Sequence, residues 1–308
     1  MESENKRIVK NTLMLYFRQI LILLTSLYTV RIVLQALGAE DYGIYNVVAG
    51  TVTMFGFLTN SLAGASQRFF SFELGQGNCE SLQKIFSLML AIYILLAITI
   101  LFFAETVGLW FVKNKLTIPA TRINAAVWVY QASIFSFIIS ILTTPYMAAI
   151  IARENMKIYA YASVIEAILK FLVALSLSFM PDKLIAYGFL LLIITFLNTA
   201  VYRIYCCKHY KECHFVFYWD KEKFKEIVSY SCWNLFGSSI SIIKNQIMNI
   251  LLNIFFNPVV NAARSISVQV NNAVNSFAGN FTTAMRPQII KQYASGKNDK
   301  AIQLVFYG

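Results

Sequence analysis

The chain has 308 residues, 58% of them hydrophobic and 13% charged, with a mean hydropathy of +0.60 and a formal net charge of +11 at pH 7. Soluble domains carry about 25% charged and about 45–50% apolar residues, so this composition excludes a water-soluble enzyme, a disordered chain and a secreted disulfide scaffold. Lipid is the expected solvent, and the positive charge, which alternates with long apolar runs, fits loops that orient a membrane protein better than a nucleic-acid surface.

A helix crossing the hydrocarbon core needs about 20 mostly apolar residues. Eight such stretches follow one another near 12–36, 42–66, 85–111, 123–150, 158–180, 183–206, 226–256 and 259–285, and KNDKAIQLVFYG begins a ninth. The predicted class is all-α and polytopic, because runs such as Phe86 to Phe103 lack the two-residue period of a membrane barrel. The ninth stretch stops at Gly308, which gives the expectation of a fragment of a longer protein. The amino-terminal MESENKRIVKN has no small-residue cleavage site and reads as the start of the first helix, not a signal peptide. Residues 1–206 form the expected first six-helix lobe, 207–224 a charged cytoplasmic linker, and 225–308 the beginning of a second lobe.

With the N-terminus in the cytoplasm, seventeen Lys and Arg fall in the inner loops, and four, Lys113, Lys115, Arg122 and Lys183, in the outer ones. That split follows the positive-inside rule. An internal echo runs through the same pattern: NSLAG at 60–64 recurs as NSFAG at 275–279, each followed by a basic residue, Arg68 or Arg286, and a glycine turn, GQGN at 75–78 or SGKN at 295–298. A six-helix repeat would place both copies in parallel, as in transporters whose two lobes rock about a central site.

Five cations, Arg18, Arg31, Lys170, Lys244 and Arg264, lie inside the spans against two acids, Glu105 and Glu166. Charges at that depth are costly and normally face a wet cavity or a partner, so the basic surplus calls for an anion. Arg18 is expected to face a cavity, whereas Arg31 can snorkel to the interface and Arg68 reads as an inner-end anchor or a gate residue. Glu166 and Lys170 are spaced for an intrahelical pair, with coupling to a proton or cation as the alternative role of Glu166. Helix seven carries Asn234, Ser238, Ser241, Asn245, Asn249 and Asn253 on one stripe; helix eight carries Ser265, Gln269, Asn272, Ser276 and Asn280 on another, beside Asn271 and Asn275. Interhelical hydrogen bonding needs fewer groups than this, so both stripes are expected to face water or a polar ligand.

The string CCKHYKECH gathers three cysteines and both histidines, but its spacing matches no standard zinc pattern and no metal is expected. There is no Walker loop, HExxH or Gly-rich dinucleotide fingerprint, so no cofactor is implied and an enzyme is disfavoured.

Two segments resemble the polysaccharide flippases of the Wzx type. TVRIVLQALGAEDYGIYNVVAG at 29–50 is similar through Arg31, Leu37, Gly38, Asp41, Tyr42 and Gly43, and TPYMAAIIARENMKIYAYASVIEA at 144–167 through Pro145, Tyr146, Glu154, Met156, Lys157 and Tyr159. The resemblance implies the multidrug/oligosaccharidyl-lipid/polysaccharide exporter superfamily, with two lobes about a cavity that opens alternately inward and outward. It implies a polyprenyl-pyrophosphate-linked glycan as substrate, the bacterial inner membrane as location, and a glycan polymerase or ligase as a possible neighbour in the bilayer. On that reading Arg18, Lys244 and Arg264 hold the phosphates, the Asn and Ser walls, with Asn245, Asn249, Asn272 and Asn275, solvate the sugars, and Arg31 and Arg68 complete the substrate-binding candidates. A drug/cation antiporter of the same superfamily and a membrane glycan polymerase or acyltransferase are the alternatives.

Overall fold

The computed structural model describes residues 2–53, 55–116, 118–255 and 258–307, with side chains described except at 2–5, 53, 57, 238–239, 241–266, 268–270, 272–273 and 307. Among the described residues every regular element is a helix. The first, α1 (Glu2–Thr53), is one helical run broken at Gly38, where φ is 78° and ψ 169°. A side chain there would be strained, so this glycine lets the chain finish one span and begin the next without a loop. The rest of the second expected span lies in α2 (Gly56–Gln76).

The third span, α3 (Cys79–Phe103), passes through a single π turn at Ala104–Gly108 into α4 (Leu109–Asn114). A π turn disturbs the regular carbonyl pairing, and here the Tyr130 hydroxyl donates to the Ala104 carbonyl at 2.7 Å. Gly108 makes room for that ring, since a Cβ would stand 1.9 Å from the hydroxyl. Five helices follow, α5 (Ile123–Ala152), α6 (Met156–Ser176), α7 (Lys183–His209), α8 (Lys221–Phe255) and α9 (Pro258–Ala294), and then the short α10 (Asn298–Tyr307). Helices thus lie over each of the eight expected stretches in order, with α10 at the start of the ninth.

Side-chain caps set several of the starts. Asn78 accepts from the Ser81 amide at 3.0 Å, Asp182 from Leu184 and Ile185 at 3.2 and 3.3 Å, and Asp220 from Glu222 and Lys223 at 2.8 and 3.1 Å; each such cap is worth about 1 kcal/mol. The echoed turns are alike in backbone: Gly77 closes α2 at φ 73° and Gly296 closes α9 at φ 75°. α2 and α9 also pack on each other, so the two copies of the echo meet in space.

Helix α5 is the hub, with α7, α2, α1 and α3 packed around it. Below, the end of the bundle that holds the chain's N-terminus is the near end and the opposite one the far end. One apolar cluster fills the near half, built around Phe70, Phe86, Met89, Tyr93 and Ile150. A second fills the far half around Val33, Val48, Val129, Tyr130 and Leu184. A third, smaller one joins Leu15 of α1, Ile151 of α5, Met156 of α6 and Ala284 of α9.

Among the described residues five helices are long and apolar enough to cross a membrane. In the most apolar part of α1 only 6% of residues are buried, and Leu13, Phe17, Leu24 and Leu27 are exposed along it. Water would not tolerate an apolar surface of that extent. The chain is a multi-pass membrane protein.

Candidate functional site

Between the second half of α1, α5, α6 and α7 lies a cavity of about 440 Å³. Its wall carries Ser133, Ser136, Ser140, Thr143 and Thr144 from α5, Tyr159, Ser163, Glu166 and Lys170 from α6, and Thr195, Asn198, Thr199 and Tyr202 from α7. Thr143 and Thr199 share a hydrogen bond of 2.6 Å across it. Glu166 is held on both oxygens, by the Lys170 ammonium at 2.6 Å and the Asn198 amide at 2.7 Å, so the expected α6 pair forms and gains a partner from α7. The α5 residues recur at helical spacing, a stripe of the kind used above for helices seven and eight that the sequence reading left out.

Arg18 stands at the side of this cavity and is 9% exposed. Its guanidinium lies 4.5 Å from the centre of the Tyr159 ring and donates to Ser163 at 3.5 Å and to Asn280 of α9 at 3.1 Å. Tyr159 and Ser163 also line the cavity. The arginine thus joins α1, α6 and α9 through neutral oxygens and a ring face. No carboxylate pairs with it among the described residues, and its Nε is buried without a hydrogen-bond partner. A buried cation with spare donor capacity is suited to an anion.

The other expected residues fall in three places. Arg31 is exposed near the far end of the first half of α1. Arg68 is exposed on α2 with its guanidinium 4.2 Å from the centre of the Tyr230 ring of α8; one turn away, Arg286 of α9 reaches within 3.9 Å of the Cβ position of Gly64. Arg68 thus lies against α8 and Arg286 against α2, and Arg286 joins the candidate set through the echo. Asn275 is exposed and donates to Asn271 at 2.6 Å. The side chains of Lys244, Asn245, Asn249, Arg264 and Asn272 lie outside the described residues.

At the far end, Arg122 clasps two acids, Asp41 at 2.6 Å and Asp182 at 3.3 Å. This joins the start of the second span to the turns before α5 and α7, and it explains the acidic residue of the 29–50 segment as a structural one. Burial, more than any neighbour, pushes the Asp41 carboxyl above the usual aspartate range; Arg122 pulls it down, while Asp182 and Glu40 push it up. Arg122→Gln is expected to destabilise the fold by about 1–2 kcal/mol. Without the arginine, the folded-state pKa of Asp41 rises further, and a raised carboxylate loses stability as pH climbs through that pKa. The deficit should be larger at pH 8 than at pH 4, measured by thermal unfolding in detergent; an equal deficit at both values would mean the clasp is not electrostatic.

The family model for polysaccharide biosynthesis proteins matches residues 8–292. A search of curated protein sequences gives no significant match. Solved structures give the same fold: a MATE transporter crystallised in complex with MaD3S is 12% identical with a TM-score of 0.85, the alignment covering 99% of this chain and 69% of that one. An outward-facing multidrug resistance MATE transporter of the MOP superfamily is 12% identical with a TM-score of 0.84, covering 99% and 68%. A MOP superfamily transporter from Pyrococcus furiosus, described as having a binding pocket of reversed polarity, is 11% identical with a TM-score of 0.80, covering 99% and 68%. The helix order, the polar cavity walled by α5, α6 and α7, and the match over residues 8–292 agree: the chain belongs to the polysaccharide biosynthesis protein family and has the fold of the MATE transporters of the MOP superfamily.

Proposed function

We propose that the protein is a flippase that carries polyprenyl-pyrophosphate-linked oligosaccharide across the bacterial inner membrane by alternating access. The observation that carries this reading is Arg18, a buried guanidinium without a carboxylate partner among the described residues, set against the wall of a cavity rich in hydroxyl and amide groups. Pyrophosphate is a dense anion for such a group, and sugar hydroxyls match the Ser, Thr and Asn walls. The near end is the cytoplasmic one, as the distribution of Lys and Arg favours. Residues 1–206 act as the first lobe, the segment 207–224 as the connection, and 225–308 as part of the second lobe. From their place in the sequence, Lys244 and Arg264 are assigned to the phosphates, and Asn245, Asn249, Asn272 and Asn275 to the glycan. Arg68, and Arg31 nearer the far end, guide the headgroup at the margins. Glu166, held by Lys170 and Asn198, is the coupling candidate.

The test is reconstitution in liposomes with a polyprenyl-pyrophosphate-linked oligosaccharide, following its appearance on the opposite leaflet. Parent protein should move the lipid, and Lys244→Ala and Arg264→Ala should slow it. Movement of organic cations in place of the glycan lipid would reverse the assignment in favour of an antiporter.

A further inference from the structure

The turn between α5 and α6 puts Glu154 in the left-handed region, with φ at 58°. Its carboxylate, with 2% of the side chain exposed, faces neither solvent nor the cavity wall. One oxygen takes the Lys291 ammonium of α9 at 2.7 Å; the other takes the Gln288 amide of α9 at 2.8 Å and the Arg7 guanidinium of α1 at 2.8 Å. The Asn11 amide of α1 donates to its backbone carbonyl at 3.3 Å. One residue of the turn thus ties the near ends of α1 and α9 together. Next to it, the apolar cluster of Leu15, Ile151, Met156 and Ala284 closes the seam among α1, α5, α6 and α9.

The local charge explains why an anion is needed there. The neighbouring Arg153 is already engaged by Glu212, so it does not compete for Glu154. Burial pulls the Lys291 ammonium below its ordinary range, Arg7 and Arg153 add to that, and Glu154 opposes it. If the near ends of α1 and α9, which pack on each other, swing together away from the α5–α6 turn, Arg7 and Lys291 lose their shared carboxylate, and an anion with several oxygens satisfies both again.

We propose that Arg7, Gln288 and Lys291 form a phosphate-binding site at the near-end mouth, which Glu154 fills when that end is closed and a pyrophosphate group takes when it opens. This rests on the lipid-linked pyrophosphate reading above and adds the entry step to it. The carboxylate acts as an internal stand-in for the substrate headgroup, so arrival of substrate and release of the latch are one exchange.

The reporter is Ala284→Cys in the full chain. Position 284 is 0% exposed in the closed seam, so a water-soluble maleimide reaches it only when the near end opens; mass spectrometry of the peptide holding residue 284 separates it from the exposed Cys79 and Cys232. Glu154→Gln in this background should raise the labelling rate about tenfold, as expected for an equilibrium shifted by one lost ion-pair hub. Should that variant fail to fold, Arg7→Gln removes only the outer arm of the latch and should raise labelling in the same direction. With Glu154 present, inorganic pyrophosphate, or liposomes containing polyprenyl pyrophosphate, should accelerate labelling, and Arg7→Gln with Lys291→Gln should abolish that response. Acceleration by both probes makes any pyrophosphate a ligand; acceleration by the liposomes alone assigns the site to the lipid headgroup. Labelling of the latch variant at the parental rate, or no response to either probe, overturns the proposal. Labelling reads the gate and not the cargo, so loss of glycan transport with an intact pyrophosphate response counts against the flippase reading and leaves the latch standing.

Discussion

Arg18→Ala is expected to lower translocation of the glycan lipid by at least about 100-fold, equivalent to about 2.7 kcal/mol of lost stabilisation. A charge-assisted hydrogen bond in a desolvated site is worth about 1.5–3 kcal/mol, and a pyrophosphate loses at least one on this change. Arg18 also stacks on Tyr159 and bonds Ser163 and Asn280, so a folding control is required. Arg18→Lys keeps the charge without the planar fork and should fold, yet transport about tenfold more slowly. Measured as initial rates of glycan appearance on the far leaflet, parental transport by a folded Arg18→Ala would make this arginine a tie between helices and nothing more.

Gly75→Leu is expected to destabilise the protein by about 2–3 kcal/mol, the usual effect of forcing extra volume into a closed contact. A Cβ on Gly75 would lie 2.7 Å from the Lys291 carbonyl and 2.8 Å from the Lys291 Cα. Backbone of α9 cannot yield as a flexible side chain does, so α2 and α9 must part at the near end. The expected result is a thermal midpoint several degrees lower, together with faster labelling at Ala284→Cys. An unchanged midpoint would mean that the two helices do not approach this closely in the working protein.

The order and limits of the spans were legible because lipid imposes length and apolarity on each one, and because Gly38 sits where one span ends and the next begins. The intrahelical Glu166–Lys170 pair was legible too, since spacing on one helix determines it. Asn198, its third member, comes from a helix 32 residues away, and no local pattern reports that. Arg18 was recognisable as anomalous by its depth, but its partner Asn280 lies 262 residues away. Glu154 drew notice only through a resemblance, and its significance lies in α1 and α9, which meet it through packing of the whole bundle. The Ser and Thr stripe of α5 was present in the sequence; its even mixture with apolar residues hid it beside the denser Asn stripes of α8 and α9.

The connection between α7 and α8 is anchored to its neighbours and does not hang free. Glu212 is held by Arg153, Cys213 is buried, Gln83 donates to the His214 carbonyl at 3.1 Å, and the Val216 amide donates to Ser87 at 3.0 Å. Such a strap is fixed to the α3 and α5 body as far as residue 216, so it offers little slack as a hinge. On the alternating-access reading, a swing of α8 and α9 would find its fulcrum just beyond, where Asp220 starts α8, so that a small angular change at that pivot would carry the far ends of both helices through a wide arc.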